Sequence, residues 1–223
     1  MLELNKLYLM DCMEGMKTFP DKYFDLAIVD PPYGIGNFVQ TTGNIRGKKV
    51  EWNNAIPPPE YFIELKRISK HQIIWGANYF NCFNGKMGAI VWVKNQPMPN
   101  FSKAEIASCS IHQKTEVIDH TWTNFVNSKE TSHPCERPIY LYSWILHNYA
   151  KPDFKIIDTH VGSASSIIAF LDFGCEWIGF EIDEDYHRDG SKRIEIHKKR
   201  PKPFITDGEL ANKNTKQKGF FDQ

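Results

Sequence analysis

The sequence predicts an α/β protein built on a doubly wound, mostly parallel β-sheet, and two features of the chain indicate it. Short apolar runs alternate with helical stretches along most of the sequence. The run Asp25–Val29 places four apolar residues after one acid, which is typical of a strand buried on both faces. Because strands that alternate with helices pair in parallel, we expect helices on both faces of the sheet.

Seven strands and five helices are predicted from these patterns. The helix at residues 60–69 illustrates the argument, since prolines 57–59 suit a first turn and Phe62, Leu65 and Ile68 form one apolar stripe. The predicted strands are 7–10, 25–29, 72–75, 88–93, 106–111, 154–158 and 177–181. The predicted helices are 14–19, 60–69, 138–149, 163–173 and 184–198.

The composition indicates a globular protein with one domain. The chain has 223 residues, of which 41% are hydrophobic and 24% are charged. We expect one domain at residues 1–200, a flexible C-terminal tail at 201–223, and a small insertion at 95–132. The formal net charge is +0, so any anionic ligand must meet a local basic face.

The cysteines and the apolar runs predict a cytoplasmic location. The five cysteines are scattered without a CxxC pair, which favours reduced thiols over a disulfide frame or a zinc site. No metal site is therefore predicted. No signal peptide opens the chain, and no apolar run approaches the ~18 residues that a membrane span needs.

Four predicted strands end on an acid, and these acids are candidates for a binding site. Because the carboxyl ends of parallel strands meet at one edge of a sheet, the four are expected to share that edge. Like charges crowd together only where ligands neutralise them or donate hydrogen bonds to them. The four residues are Asp11, Asp30, Asp158 and Glu181.

The segment 155–166 runs from a strand through a glycine-bearing turn into a helix, as nucleotide-binding turns do. Glu181 lies nineteen residues after Gly162, the separation at which an acid often binds ribose hydroxyls. Asp158 would repel a pyrophosphate and suits a cationic ligand instead. S-adenosylmethionine combines ribose, an ammonium and a sulfonium. The alternative is an ordinary turn with a packing glycine.

Three motifs resemble those of the DNA amino-methyltransferases. Asp30-Pro31-Pro32-Tyr33 resembles their catalytic DPPY motif, and residues 158–165, DTHVGSAS, are similar to their cofactor loop. Residues 133–138, HPCERP, resemble the element before the methionine-binding helix. The catalytic motif precedes the cofactor loop, as in the permuted β-like group. The resemblance covers about residues 5–195.

The resemblance implies a circularly permuted, S-adenosylmethionine-dependent methyltransferase of DNA adenine N6. Asp30 and the Pro31 carbonyl would accept the two N–H groups of the target amine. Pro31 and Pro32 would hold these acceptors rigidly, and Tyr33 would stack on the flipped base. The chemistry of cytosine N4 is the same, so that target stays open.

The resemblance also implies a set of cofactor-binding residues. Asp11 would hold the adenine amine and Glu181 the ribose, although Asp11 could instead cap the following helix. His133 and Arg137 would flank the methionine end, although His133 could be a plain turn residue. The complete set is Asp11, Asp158, Gly162, Ser163, Glu181, His133 and Arg137.

The expected partner is double-stranded DNA. Arg46, Lys48 and Lys49 lie in the loop after the catalytic corner and are placed to contact phosphate near the flipped base. The basic cluster in the last helix and tail is more typical of a solvated surface. Within the resemblance, residues 95–132 would read the target. Because that segment is short, the site is short or a homodimer reads it.

Two departures from the family pattern leave a second class of function open. Ala164 stands where the family has a second glycine. Cys135, Glu136 and Arg137 replace threonine, glutamine and lysine. The chain could therefore be a decayed methyltransferase that binds cofactor or DNA without turnover. A methyltransferase for RNA or a protein amide is a further alternative.

Overall fold

The computed structural model describes residues 1–36, 54–83, 86–95, 102–119 and 136–200. Within these ranges the chain forms eight strands and five helices. The strands are β1 (Lys6–Leu9), β2 (Phe24–Val29), β3 (Ser69–Trp75), β4 (Gly88–Val93), β5 (Ala104–Cys109), β6 (Thr115–Asp119), β7 (Lys155–Asp158) and β8 (Glu176–Glu181). The helices are α1 (Cys12–Met16), α2 (Pro59–Ile68), α3 (Ile139–Tyr149), α4 (Ser165–Phe173) and α5 (Glu184–Lys198).

All eight strands join one sheet in the order β1-β8-β7-β2-β3-β5-β4-β6. The neighbours from β1 to β3 pair in parallel, as do β4 and β6, whereas β5 is antiparallel to both β3 and β4. The predicted α/β class with a mostly parallel sheet is confirmed.

The prediction of seven strands is wrong by one, because it omitted β6. The sequence of β6, TEVID, is largely polar, and only Ile118 in it is buried. Strand β6 is the edge strand beside β4. An edge strand can bury a single side chain, so its sequence need not be an apolar run. Strand β5 begins at Ala104 rather than at Ile106.

The sheet is covered on both faces, as a doubly wound fold requires. Successive residues of β2 alternate between two hydrophobic clusters: Leu26 and Ile28 pack with α3 and α4, whereas Ala27 and Val29 pack with α1 and α2. This alternation follows from the opposite directions of neighbouring side chains in a strand. Among the described helices, none has the length and apolarity that a membrane crossing requires.

Part of the predicted insertion at 95–132 belongs to the sheet. Strand β5 lies between β3 and β4, and β6 lies beyond β4. The role of this segment in reading a target sequence stays a prediction, because residues 96–101 and 120–135 lie outside the described ranges.

The topology brings the four strand-end acids to one edge of the sheet. Strands β1, β8, β7 and β2 are consecutive and parallel, so their carboxyl ends point the same way. Leu9 is opposite Glu181, and the Met10 amide donates to the Glu181 carbonyl oxygen at 3.0 Å. The shared edge that the sequence predicted is present.

Candidate active site

The DPPY corner follows β2 directly and is held by a hydrogen bond within itself. The Tyr33 hydroxyl donates to Asp30 Oδ1 at 2.6 Å. Burial raises the pKa of Tyr33 well above its ordinary value, so the phenol stays protonated and remains a donor. Pro31 is buried and Asp30 is partly exposed, with 22% of its side chain accessible. The carboxylate therefore lies at the surface of the corner in a fixed orientation.

Arg137 forms a two-pronged ion pair with the Asp30 carboxylate. Arg137 Nε donates to Asp30 Oδ2 and Nη2 donates to Oδ1, each at 2.7 Å. Nη2 also donates to the Tyr33 hydroxyl, and Nη1 donates to Glu105 Oε2. The guanidinium carbon is 4.6 Å from the centre of the Trp75 ring. Arg137, which the resemblance assigned to the cofactor's methionine end, therefore contacts the predicted catalytic acid.

Glu105 belongs to this charge cluster, and the sequence analysis did not identify it. It lies on β5 and pairs with Lys94 at 2.5 Å as well as with Arg137. Burial raises the pKa of the Glu105 carboxyl, but Arg137 and Lys94 outweigh that effect and lower it overall. A charged residue inside the strand sequence AEIASC was the one available signal. Its partners lie elsewhere in the chain, Lys94 just after β4 and Arg137 just before α3, so the sequence could not indicate them.

The ring of Tyr33 is already covered by the turn after β3. Tyr79 stacks on it with ring centroids 4.8 Å apart and an angle of 15° between the planes. Gly76, at φ +72°, lies so close that an added Cβ would be 2.2 Å from Tyr33 Cε1. Stacking of a target base on Tyr33 stays a prediction, and in this structure Tyr79 occupies a stacking position on that ring.

The predicted cofactor loop, residues 158–165, is organised around two buried acids. Asp158 Oδ2 accepts a hydrogen bond from Ser166 Oγ at 2.6 Å, and Oδ1 accepts from the His160 amide at 3.0 Å. Glu181 Oε2 accepts from the Gly162 amide at 2.7 Å. The glycine and the acid that the sequence analysis paired by their spacing are therefore in direct contact.

Burial raises the pKa of both acids. Burial raises the pKa of Asp158 to about 7, although two hydrogen bonds oppose it, and the nearby Asp30 and Glu181 raise it further. Burial likewise raises the pKa of Glu181 against three backbone N–H donors. A positive charge placed beside Asp158 would stabilise its ionised form.

The turn into α4 is fixed by a second ion pair, whose acid is buried and whose arginine is partly exposed. Arg193 on α5 donates to Glu136 at 2.6 Å and to the Ser163 carbonyl oxygen at 2.7 Å. Ala164 caps α4 in the left-handed region at φ 65° and is fully buried. Gly162 adopts φ 53° in the same turn. Arg193 thus contacts the cofactor loop, whereas the sequence analysis had grouped it with the surface cations of the last helix.

His160 is a neutral member of the site that the sequence analysis gave no role. Burial lowers its pKa to about 4, although Asp30 and Asp11 act in the opposite direction. Its Nδ1 is 2.9 Å from Thr159 Oγ1, which is 2.6 Å from the hydroxyl of buried Tyr61. The histidine therefore adds no positive charge at neutral pH.

Asp11 caps α1, the alternative that the sequence analysis left open. Its Oδ1 accepts from the Met13 amide at 2.7 Å, and the residue is otherwise exposed at the edge that carries Glu181. Contact with a cofactor's adenine stays a prediction. Four further predicted site residues lie outside the described ranges, namely His133, Arg46, Lys48 and Lys49.

Sequence comparison identifies relatives among methylases. A family model described as DNA methylase matches residues 102–192, which include β5, β6, the Arg137 region and the cofactor loop. The putative methylase YubD of Escherichia coli K12 is 25% identical over 206 residues, covering 82% of this chain and 87% of that protein. The type II methyltransferase M.HinfI of Haemophilus influenzae is 25% identical over 252 residues, covering 89% and 70%.

Structure comparison shows the same fold in solved methyltransferases. The crystal structure of the M1.HpyAVI–SAM complex matches with a TM-score of 0.58 and 19% identity, covering 84% of this chain and 98% of that one. The cytosine-N4-specific PvuII DNA methyltransferase matches with a TM-score of 0.59 and 14% identity, covering 93% and 90%. These likenesses show that the chain has the Rossmann-like fold of these methyltransferases.

Proposed function

We propose that this protein is an S-adenosylmethionine-dependent DNA methyltransferase that acts on the exocyclic amine of a flipped base, with adenine N6 as the target. The observation that carries the proposal is the position of Asp30. Its carboxylate is fixed on a double-proline corner at the sheet edge that also carries Asp158 and Glu181. An amine acceptor and a candidate cofactor loop thus lie side by side.

The corner suits the chemistry of an aromatic amine. Such an amine is a poor nucleophile because its lone pair is delocalised into the ring. Asp30 and the Pro31 carbonyl would accept its two N–H groups and favour the pyramidal geometry that attack requires. Because prolines restrict the backbone, little reorganisation is needed during the reaction. The base must first leave the duplex, since its amine is otherwise paired.

The loop residues fit S-adenosylmethionine by their chemistry. Asp158 is a buried acid, and within the described part of the chain both hydrogen bonds to its carboxyl come from neutral donors. An ammonium or sulfonium would supply a positive charge, and Glu181 would accept from ribose hydroxyls. When bound, this cofactor supplies an electrophilic methyl group. Asp158, Gly162 and Ser163 would hold its methionine portion beside Asp30.

Cytosine N4 is the closest alternative target, because its amine makes the same demands on Asp30 and Pro31. PvuII methyltransferase, which shares the fold, acts on cytosine N4. The DPPY form of the motif favours adenine. A methylated-nucleoside assay separates the two, since N6-methyladenine and N4-methylcytosine differ in mass and retention.

A decayed binding module is the second candidate, and one observation favours it. Arg137 engages both oxygens of Asp30, so the acceptor for the amine is partly occupied. A protein of this kind would bind the cofactor without producing methylated DNA.

One experiment tests these functions together. The wild-type protein is incubated with methyl-labelled S-adenosylmethionine and unmethylated duplex DNA of mixed sequence, and the digested nucleosides are identified by mass spectrometry. We expect labelled N6-methyladenine, and we expect Asp30→Asn to lower kcat about 10²–10³-fold, as loss of a preorganised acceptor does. Asp153→Asn, the same change at an exposed turn position, is the matched control and keeps full activity.

Three results would overturn the proposal in different ways. Labelled N4-methylcytosine as the sole product would reject the adenine target. Cofactor binding by calorimetry without any labelled nucleoside would indicate the decayed module. Labelling of RNA or protein but not of DNA, when all three are offered under the same conditions, would reject the DNA substrate proposed here.

A further inference from the structure

We propose that Arg137 and Glu105 form a positioning device that orients the Asp30 carboxylate and leaves one acceptor site, on Oδ2, for the incoming amine. The inference rests on the proposed function and deepens it. Neither residue would touch the substrate. Arg137 would act through Asp30, and Glu105 would act through Arg137.

The hydrogen-bonding capacity of Asp30 carries the first step. An ionised carboxylate offers about four acceptor sites, two on each oxygen. Oδ1 accepts from both the Tyr33 hydroxyl and Arg137 Nη2, so its two sites are filled. Oδ2 accepts from Arg137 Nε. Within the described part of the chain, one site on Oδ2 therefore remains, and this is the atom to which an amine can donate.

The donors of Arg137 argue against a direct role at the cofactor. A guanidinium has five N–H groups. Four are engaged, because Nε and Nη2 bind Asp30, Nη2 also binds Tyr33, and Nη1 binds Glu105. The side chain is 5% exposed and its guanidinium lies over Trp75. Without breaking an existing bond, a ligand could reach only the remaining Nη1 N–H of this almost fully buried side chain.

Glu105 fixes the plane of the guanidinium from the opposite side. With Asp30 at one end, Glu105 at the other and the Trp75 ring against its face, the guanidinium is restrained in three directions. Because the pair with Asp30 is two-pronged, a fixed guanidinium plane also fixes the carboxylate plane. Lys94 on the far side of Glu105 completes an alternating row of charges, so Glu105 stays ionised.

The row also explains why arginine suits position 137. A lysine ammonium is a single point charge, and it cannot bond both carboxylate oxygens and Glu105 in one rigid fork. Substitution by lysine would keep a positive charge beside Asp30, but the carboxylate would no longer be held in one orientation.

The test measures turnover and cofactor binding in the same variants. Arg137→Ala is expected to lower kcat about 10²-fold at saturating cofactor and DNA, the loss expected when a preorganised acceptor is freed. The cofactor Kd, measured by calorimetry, is expected to stay within about twofold, below the ~1.4 kcal/mol that a tenfold change represents. The kcat of Arg137→Lys should lie between those of Arg137→Ala and the wild type. Millimolar guanidinium in the assay should partly restore the kcat of Arg137→Ala.

A double-mutant cycle separates positioning from a merely structural role. If Arg137 acts through Asp30, Arg137→Lys costs little activity once Asp30→Asn is present, so the two effects are strongly non-additive. Glu105→Gln should show a smaller loss of kcat and the same coupling. These two milder variants carry the test if Arg137→Ala does not fold.

The outcomes distinguish this inference from the proposed function. A wild-type protein that methylates no substrate overturns both. An active wild type whose Arg137→Lys and Glu105→Gln variants keep full kcat overturns the positioning role alone. A large rise in cofactor Kd with unchanged kcat at saturation would instead make Arg137 a cofactor ligand.

Discussion

Replacing Asp158 with asparagine should change how the stability of the protein depends on pH. Asp158 is 1% exposed, and burial raises its pKa from 3.8 to about 7. Asparagine resembles the protonated acid: its oxygen can accept from the His160 amide, and its NH₂ can donate to Ser166 Oγ. The variant therefore keeps both hydrogen bonds and removes the titration.

The direction in which stability changes with pH follows from the number of protons bound by the folded and unfolded states. The folded protein holds the Asp158 proton up to about pH 7, whereas the unfolded chain releases it near pH 3.8. The folded state thus binds more protons in this window, and the free energy of unfolding falls as the pH rises through it. At ~1.36 kcal/mol per pH unit, the full loss is about 4 kcal/mol, of which about 3 kcal/mol falls between pH 5 and pH 8.

The assay is urea denaturation of the wild type and of Asp158→Asn at pH 5, 6, 7 and 8, followed by tryptophan fluorescence. The stability of the variant relative to the wild type should rise by about 3 kcal/mol from pH 5 to pH 8. The stability of Asp153→Asn, a change at an exposed position, should depend on pH in the same way as that of the wild type. If the free energies of unfolding of Asp158→Asn and the wild type differ by the same amount at every pH in this range, the raised pKa of the buried Asp158 is refuted.

Two further predictions concern backbone conformation at the site. Ala164→Gly should change stability by less than about 1 kcal/mol, because relief of the left-handed conformation (about 1–2 kcal/mol) is offset by a lost buried methyl and a more flexible unfolded chain. A rise in turnover above about tenfold in that variant would instead favour the decayed module. Gly76→Ala should cost about 2–5 kcal/mol by thermal or chemical denaturation and lower kcat, since its Cβ would strike the Tyr33 ring at a positive φ. Gly174→Ala, at φ +85° with open space around it, is the control for backbone strain alone, and equal losses in both variants would exclude the clash.

The sequence predicted the parts of the site that depend on local pattern. Strand β2 and the position of Asp30 directly after it follow from an apolar run that stops before two prolines. The contact between Gly162 and Glu181 follows from the length of one helix between two adjacent parallel strands. Both features lie within a single strand or a single strand–helix–strand unit, so the spacing of residues along the chain is enough to predict them.

Contacts that cross the sheet could not be predicted in this way. Arg137 and Asp30 are 107 residues apart, and Glu105 reaches Arg137 from β5, a strand whose antiparallel position no local pattern announces. Strand β6 was missed for a related reason, because an edge strand buries too little to need an apolar sequence. Register between distant strands depends on the whole core and not on any one segment.

The altered element before α3 gives less support to decay than the sequence alone suggested. Glu136 and Arg137 stand where the resembled family has glutamine and lysine, and an unpaired charge at either buried position would cost several kcal/mol. Each has an opposite charge instead: Glu136 is 2.6 Å from Arg193, and Arg137 bridges Asp30 and Glu105. The partners lie on three other elements, so both substitutions are compensated within the fold. The departures therefore indicate a corner stabilised by a different set of charges, and the case for decay depends on the occupied oxygens of Asp30, which the turnover assay examines directly.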